Sequence, residues 1–341
     1  MDQFLHFGFA GLWVLCAMVL GKVSLVALRS NFVKSPGLCG LIGMGVGGSL
    51  FGLLTLAAKP SAVVVLALIV LLVLPFATLS LLTIKKYKDK PSALKRRLKV
   101  DFCRPHIAVA AVLLISLLGA LTPSTALDWD SIAYHLAVPK IWLEQGHAGS
   151  VSFIHHSNFP GAADAWFLLG ESLGSQSMSK SFMWFTTLFG CWAILDVFKH
   201  WYKPNTALLC AVAFASIPMV LWESGSAYID VANGLFAGFG FLFAAKALNG
   251  EEKSDLWLSA IFLGLAASSK YTGLQSILIA TTVWLILGEG QQRKNAFKLV
   301  GAAGAIAAPW YIKNWITVGN PVYPFFYSLF GGKNWDAYQS F

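Results

Sequence analysis

Ten stretches of nearly uninterrupted apolar residues recur along this chain, at about 5–28, 37–58, 61–84, 106–122, 178–198, 206–222, 228–248, 256–270, 274–288 and 296–316. Most of them approach the roughly 20 residues an α-helix needs to cross a bilayer, where every backbone polar group must be paired within its own segment. The expected fold is an all-α integral membrane protein of about ten transmembrane helices, forming one polytopic domain over residues 1–341. Composition agrees, since 57% of the residues are hydrophobic and only 12% charged, against roughly a quarter charged in a soluble domain.

The basic residues set the orientation. Lys85, Lys86, Lys88, Lys90, Lys95, Arg96, Arg97, Lys99 and Arg104 crowd between the third and fourth runs, opposed only by Asp89 and Asp101. The segment 85–105 is therefore expected to be cytoplasmic. Strict alternation then places Arg29 and Lys34, Lys199 and Lys203, Lys246 and Lys253, and Arg293, Lys294 and Lys298 inside as well, with the N-terminus and the long loop 123–177 outside. The net charge of +9 is explained by these loops, which argues against a nucleic-acid partner. Met1-Asp2-Gln3 carries no basic leader, so the first run is expected to stay as a helix. Cys16, Cys39, Cys103, Cys191 and Cys210 are scattered and read as small buried hydrophobes.

Parity also decides the short apolar piece 162–173. Counting it as a span would strand Lys199 and Lys203 outside, and it carries Asp164 and Glu171, so it is expected to be interfacial or re-entrant. Within the same loop, 131–138 and 139–145 read as two short helices broken at Pro139. Ile132, Leu136 and Leu143 would share one side with Trp142 as an interfacial aromatic, the helices lying flat on the membrane.

Gly43-Met44-Gly45-Val46-Gly47-Gly48 matches a dinucleotide fingerprint, but no strand precedes it. Gly43/Gly47 and Gly48/Gly52 read instead as small residues that let helix backbones approach. His155-His156 has no further Cys or His at ligand spacing and reads as a solvated pair.

Asp128-Trp129-Asp130 is the sharpest polar feature. One carboxylate can serve as a general base while its neighbour holds it, or a divalent cation, in place; the plainer account is that Asp130 or Ser131 caps the next helix. Other ionisable groups fall at the same membrane face: Glu223, Tyr228 and Asp230 between the sixth and seventh runs, Lys270 and Tyr271 between the eighth and ninth, Lys313 and Asn314 at the end of the tenth. Charged groups near membrane depth are costly and tend to line a cavity, although Asp230 and Lys270 also suit the helix dipoles at their positions. Tyr134 and His135 flank this group in the outer loop, with His135 a candidate for substrate contact.

The run from Leu127 through Asp130, Tyr134 and Pro139 to Gly146 resembles the first outer loop of GT-C glycosyltransferases, nearest the branch of protein O-mannosyltransferases and the lipid A aminoarabinose transferase. In that family an aspartate just after a transmembrane helix is followed four residues later by tyrosine, a spacing matched by Asp130 and Tyr134. The stretches 225–230, 268–273, 313–315 and 319–324 also look like bacterial members, and the likeness covers roughly 106–335. It implies an inverting transfer from a polyprenyl-phosphate sugar to a glycan, lipid or protein acceptor at the outer face of a bacterial inner (plasma) membrane, with 123–177 periplasmic or extracellular. Asp130 would be the general base and Asp128 its orienter. Tyr134 and His135 would touch the sugar, with Tyr271 beside them. Lys270 or Lys313 would receive the departing phosphate, and Asp230 would order the loop or a metal.

The sequence departs from the family in three ways. Ser131 stands where a second acid usually follows, leaving Asp128, Asp130 and Asp230 as candidate ligands and the metal requirement open. The runs within 1–84 are three additional spans. The chain ends at Phe341, where relatives carry further helices, so a short or truncated, even inactive, member is an alternative. The competing class is a lipid-carrier transporter or assembly subunit, which should show inverted repeats or broken helices with midplane charges.

Overall fold

The computed structural model of the chain describes residues 2–57, 104–250, 252–336 and 338–339, and among these the regular structure is helical throughout. The third apolar run and the basic segment that follows it, up to residue 103, lie outside the described residues. Among the described residues four helices are long and apolar enough to cross a membrane: α1 (Asp2–Ala27), α2 (Pro36–Ala57, over Pro36–Leu56), α6 (Gln176–Phe198) and α9 (Asp230–Leu248). The protein is an α-helical membrane protein. Shorter apolar helices accompany these four, over Val109–Leu121 in α3 (Arg104–Leu121), in α7 (Pro204–Ala215) and in α11 (Thr272–Leu287). Leu114, Leu118, Leu209, Leu278, Ile286 and Ile316 stand exposed on the outside of the bundle, as a lipid-facing surface requires.

Glycine sets the closest helix contact. A Cβ placed on Gly43 would lie 1.9 Å from the carbonyl oxygen of Ala17, and one on Gly21 would lie 1.9 Å from that of Cys39. Only hydrogen fits between α1 and α2 at these points. Ser35 starts α2 by accepting the Leu38 N–H at 3.1 Å, and its hydroxyl donates at 2.7 Å to Asp196 near the end of α6. Cys16, Cys39, Cys191 and Cys210 carry free thiols.

Two expectations change in the loop 123–177. Its first helix is a wide π-type turn, Ser131–His135, that passes at Leu136 into α4 (Ala137–Gln145). Pro139 does not break the chain, because it falls in the first turn of α4, where an N–H has no helical partner to lose. Trp142 is buried and its indole donates to the Gly149 carbonyl at 2.7 Å, while Ile132 is exposed and Leu136 buried. No single lipid-facing stripe forms, and Trp142 belongs to the protein core rather than to an interfacial belt.

The piece 162–173 becomes α5 (Ala165–Ser172), eight residues and roughly 12 Å long. It is enclosed by protein: Trp166 donates to the Met44 carbonyl at 2.8 Å, and a Cβ on Gly48 of α2 would meet the Ala162 carbonyl at 2.1 Å. The sixth apolar run is interrupted at Ser216-Ile217 and restarts as α8 (Pro218–Glu223), with Pro218 at its first position; proline cannot continue α7 but suits a new first turn. Beyond it lie α10 (Lys253–Ser269), packed on α9, and α12 (Gln291–Val318), packed on α10.

Candidate functional site

Asp130 sits where the loop after α3 enters the π-type turn. Its backbone is helical and its side chain makes no capping bond, so the capping account does not describe it. Instead the Tyr134 hydroxyl donates to its Oδ2 at 2.7 Å, and its own N–H donates at 3.2 Å to the hydroxyl of Tyr228. The wide turn brings residues 130 and 134 onto one face. Ser131 is fully buried and accepts the Ala227 N–H at 3.1 Å, which fastens the turn to the linker between α8 and α9.

Asp128 is turned elsewhere. It accepts the Thr125 N–H at 3.2 Å and the Ser226 hydroxyl at 3.3 Å. The residue that orients Asp130 is therefore Tyr134, and Asp128 ties the loop to the same α8–α9 linker from the other side.

That linker carries the next acids. Asp230, in the first turn of α9, pairs at 2.5 Å with the ammonium of Lys270, which ends α10. Glu223, at the end of α8, is buried, and its carboxyl is pushed up to about 7, first by burial and then by the Asp230 carboxylate. Lys270, Asp130 and His135 also act on it, so these groups share one electrostatic neighbourhood. Burial, the bond to Asp130 and the charges of Asp130, Asp164 and Asp230 raise the Tyr134 phenol far above its ordinary value and keep it a donor.

His135 is buried, and its Nδ1 pairs with Oδ1 of Asp164, the residue just before α5. Asp164 was not singled out as a site residue from the sequence; the signal was an acid at the front of a short apolar helix. His156 is not simply solvated: it stacks on Tyr134 with ring centres 4.1 Å apart and planes 7° apart, and lies 3.8 Å from the His155 ring. Burial, then His155, lowers its imidazole to about 4.

Lys313 and Tyr271 form a second cluster under the turn 155–158. Lys313 is buried, donating to the Ser157 carbonyl at 3.1 Å and reaching Asn158 Oδ1 at 3.5 Å. Tyr271 donates to the Tyr323 carbonyl at 2.7 Å and accepts from Asn314 at 3.0 Å. Of the two lysines, Lys270 is the one beside the acids, and Lys313 holds the floor of the outer loop.

A family model described as a domain of unknown function, DUF8201, matches residues 11–339. The chain belongs to that family. No curated protein and no solved structure matches it. The DUF8201 match includes every residue of the site.

The three aspartates considered as metal ligands are each engaged by other protein groups. Asp128 is engaged by Thr125 and Ser226, Asp130 by Tyr134, and Asp230 by Lys270. Among the described residues no three His, Cys, Asp or Glu side chains gather as ligands would. What the arrangement offers is one oriented carboxylate, a phenol donor, a protonatable buried acid and a lysine cation, a combination suited to taking a proton from one group while holding an anion nearby.

Proposed function

We propose that this DUF8201 protein is an inverting membrane glycosyltransferase of the GT-C type, using a polyprenyl-phosphate sugar at the non-cytoplasmic face of a bacterial inner membrane. In this reading about ten helices cross, with α3, α7 continued by α8, α10, α11 and α12 adding to the four long spans among the described residues, and the loop 123–177 is periplasmic or extracellular. The observation that carries the proposal is the Tyr134-to-Asp130 bond of 2.7 Å set within the neighbourhood of Glu223, Asp230 and Lys270.

The acceptor hydroxyl or amine attacks the anomeric carbon from the face opposite the phosphate. A new bond forms to that carbon, the bond from it to the phosphate oxygen breaks, and the acceptor proton passes to Asp130. The polyprenyl phosphate leaves with the electron pair. It is a good leaving group and needs charge stabilisation more than a proton, which Lys270 supplies. Tyr134 fixes one oxygen of Asp130, leaving the other for the acceptor proton. No step is assigned to a metal ion.

The test is transfer by purified protein reconstituted with polyprenyl-phosphate sugars and mixed glycan, lipid and peptide acceptors. Wild type is expected to transfer, and Asp130→Asn to lose about 100-fold or more, the scale of a lost general base. Equal rates in both remove Asp130 from the role. No transfer by either favours a lipid-carrier transporter, an assembly subunit or an inactive transferase.

A further inference from the structure

His135 poses a problem that the reaction above does not use. It is 3% exposed and its Nδ1 faces the Asp164 carboxylate. A carboxylate accepts and does not donate, so the imidazole proton of that pair resides on Nδ1. Nε2 is then the free end, yet it is shut from solvent and meets no hydrogen-bond partner among the described residues. Buried polar atoms are nearly always satisfied, and an orphan at a candidate site is a sign of a ligand atom.

Its surroundings say which site. The His135 ring lies 4.2 Å from the Tyr134 ring and 6.1 Å from that of Tyr228, and both phenols bond Asp130, one to its carboxylate and one to its N–H. Phe167 of α5 closes another side at 5.7 Å. The imidazole therefore packs among the phenols that hold Asp130, and a carboxylate on a separate element fixes its Nδ1 edge. A hydroxyl suits such an atom in either charge state of the ring, because it donates to a neutral Nε2 and accepts from a protonated one.

We infer that Asp164 and His135 form a sugar-recognition dyad, in which Nε2 of His135 bonds a hydroxyl of the donor's sugar and Asp164 is the positioning residue that fixes the ring. The inference rests on the transferase reading for the identity of the ligand. His135 then selects the glycosylated lipid over the bare phosphate, while Lys270 serves both.

Binding of polyprenyl-phosphate mannose and of unglycosylated polyprenyl phosphate to the full protein in nanodiscs separates these roles. In His135→Asn the shorter amide replaces Nδ1, retaining the bond to Asp164, and nothing replaces Nε2; His135→Gln reaches the Nε2 position instead. The expected result is about tenfold weaker binding of the mannosyl lipid by His135→Asn, the scale of one hydrogen bond to a buried partner, with bare phosphate unchanged and partial recovery in His135→Gln. Asp164→Asn should show the same sugar-selective loss. Should His135→Asn fail to fold, Asp164→Asn and His135→Gln decide on the same selectivity. Wild-type selectivity that persists in the folded variants overturns the dyad and leaves the transferase reading intact. A wild type that binds both lipids alike overturns the dyad alone, and one that binds neither overturns the transferase reading and the dyad with it.

Discussion

The Lys270 ammonium, at the end of α10, lies 2.5 Å from the Asp230 carboxylate in the first turn of α9, so two helices deliver opposite charges to one point. Both side chains are about a third or more exposed, 31% and 41%. A pair this open contributes at most about 1 kcal/mol to stability. The pair keeps a cation within electrostatic reach of Glu223, on which Asp130 also acts.

Lys270→Met should therefore separate stability from function. The melting temperature in detergent is expected to stay near that of wild type, while transfer from a polyprenyl-phosphate sugar falls by about 100-fold, as a lost charge stabiliser does. A variant that transfers as wild type does would show that the leaving phosphate is held elsewhere.

Glu223 gives the protein a pH dependence of defined sign. Its carboxyl ionises near 4.5 in the unfolded chain and near 7 when folded. Between those values the folded state binds the extra proton, so this group's contribution to stability is greatest at the acid end and declines as pH rises to about 7. Asp230 and Asp130 strengthen the effect, and Lys270 and His135 oppose it. Glu223→Gln should flatten the slope, melting above wild type at about pH 8 and converging with it below about pH 5. Parallel melting curves across that range would mean that Glu223 is ionised in the folded state.

The contact between α1 and α2 gives a paired test of packing. Gly43→Ala puts a methyl group 1.9 Å from the backbone oxygen of Ala17, whereas Gly301→Ala on α12 meets nothing within 4 Å. The first should destabilise by about 1–3 kcal/mol through forced separation of the helices, and the second should be neutral or stabilise by up to about 1 kcal/mol. Equal melting temperatures for the two variants would mean that α1 and α2 stand further apart.

Much of this arrangement was legible in the sequence because it is local or one-dimensional. Apolar runs marked the four long helices and small residues marked the α1–α2 seam, whereas the four-residue spacing of Asp130 and Tyr134 was legible only as a family likeness and not as the bond it makes. Asp230 and Lys270 were legible as charges at the same end of consecutive helices. The remainder required tertiary contacts. Nothing in the order of residues says that His156 stacks on Tyr134, that Asp164 reaches His135, or that Asp128 turns to Ser226 instead of its neighbour Asp130. Trp142 was misplaced because an indole near a membrane segment suits an interface and a core equally well until its N–H finds a partner, here Gly149. The sixth apolar run hid its break because Pro218 suits the start of a helix as readily as the end of one.

The central claim is that the carboxylates after α3 and the lysine ending α10 lie on one side of the membrane. Labelling with a membrane-impermeant maleimide tests it in sealed, oriented vesicles, using single cysteines at Leu127, Lys270 and Lys203 on a background freed of the native thiols. Leu127→Cys and Lys270→Cys should react from the same side of intact vesicles, and Lys203→Cys from the opposite side. Reaction of the first two from opposite sides would contradict the account, since no single lipid-linked sugar could then reach Asp130 and Lys270 together.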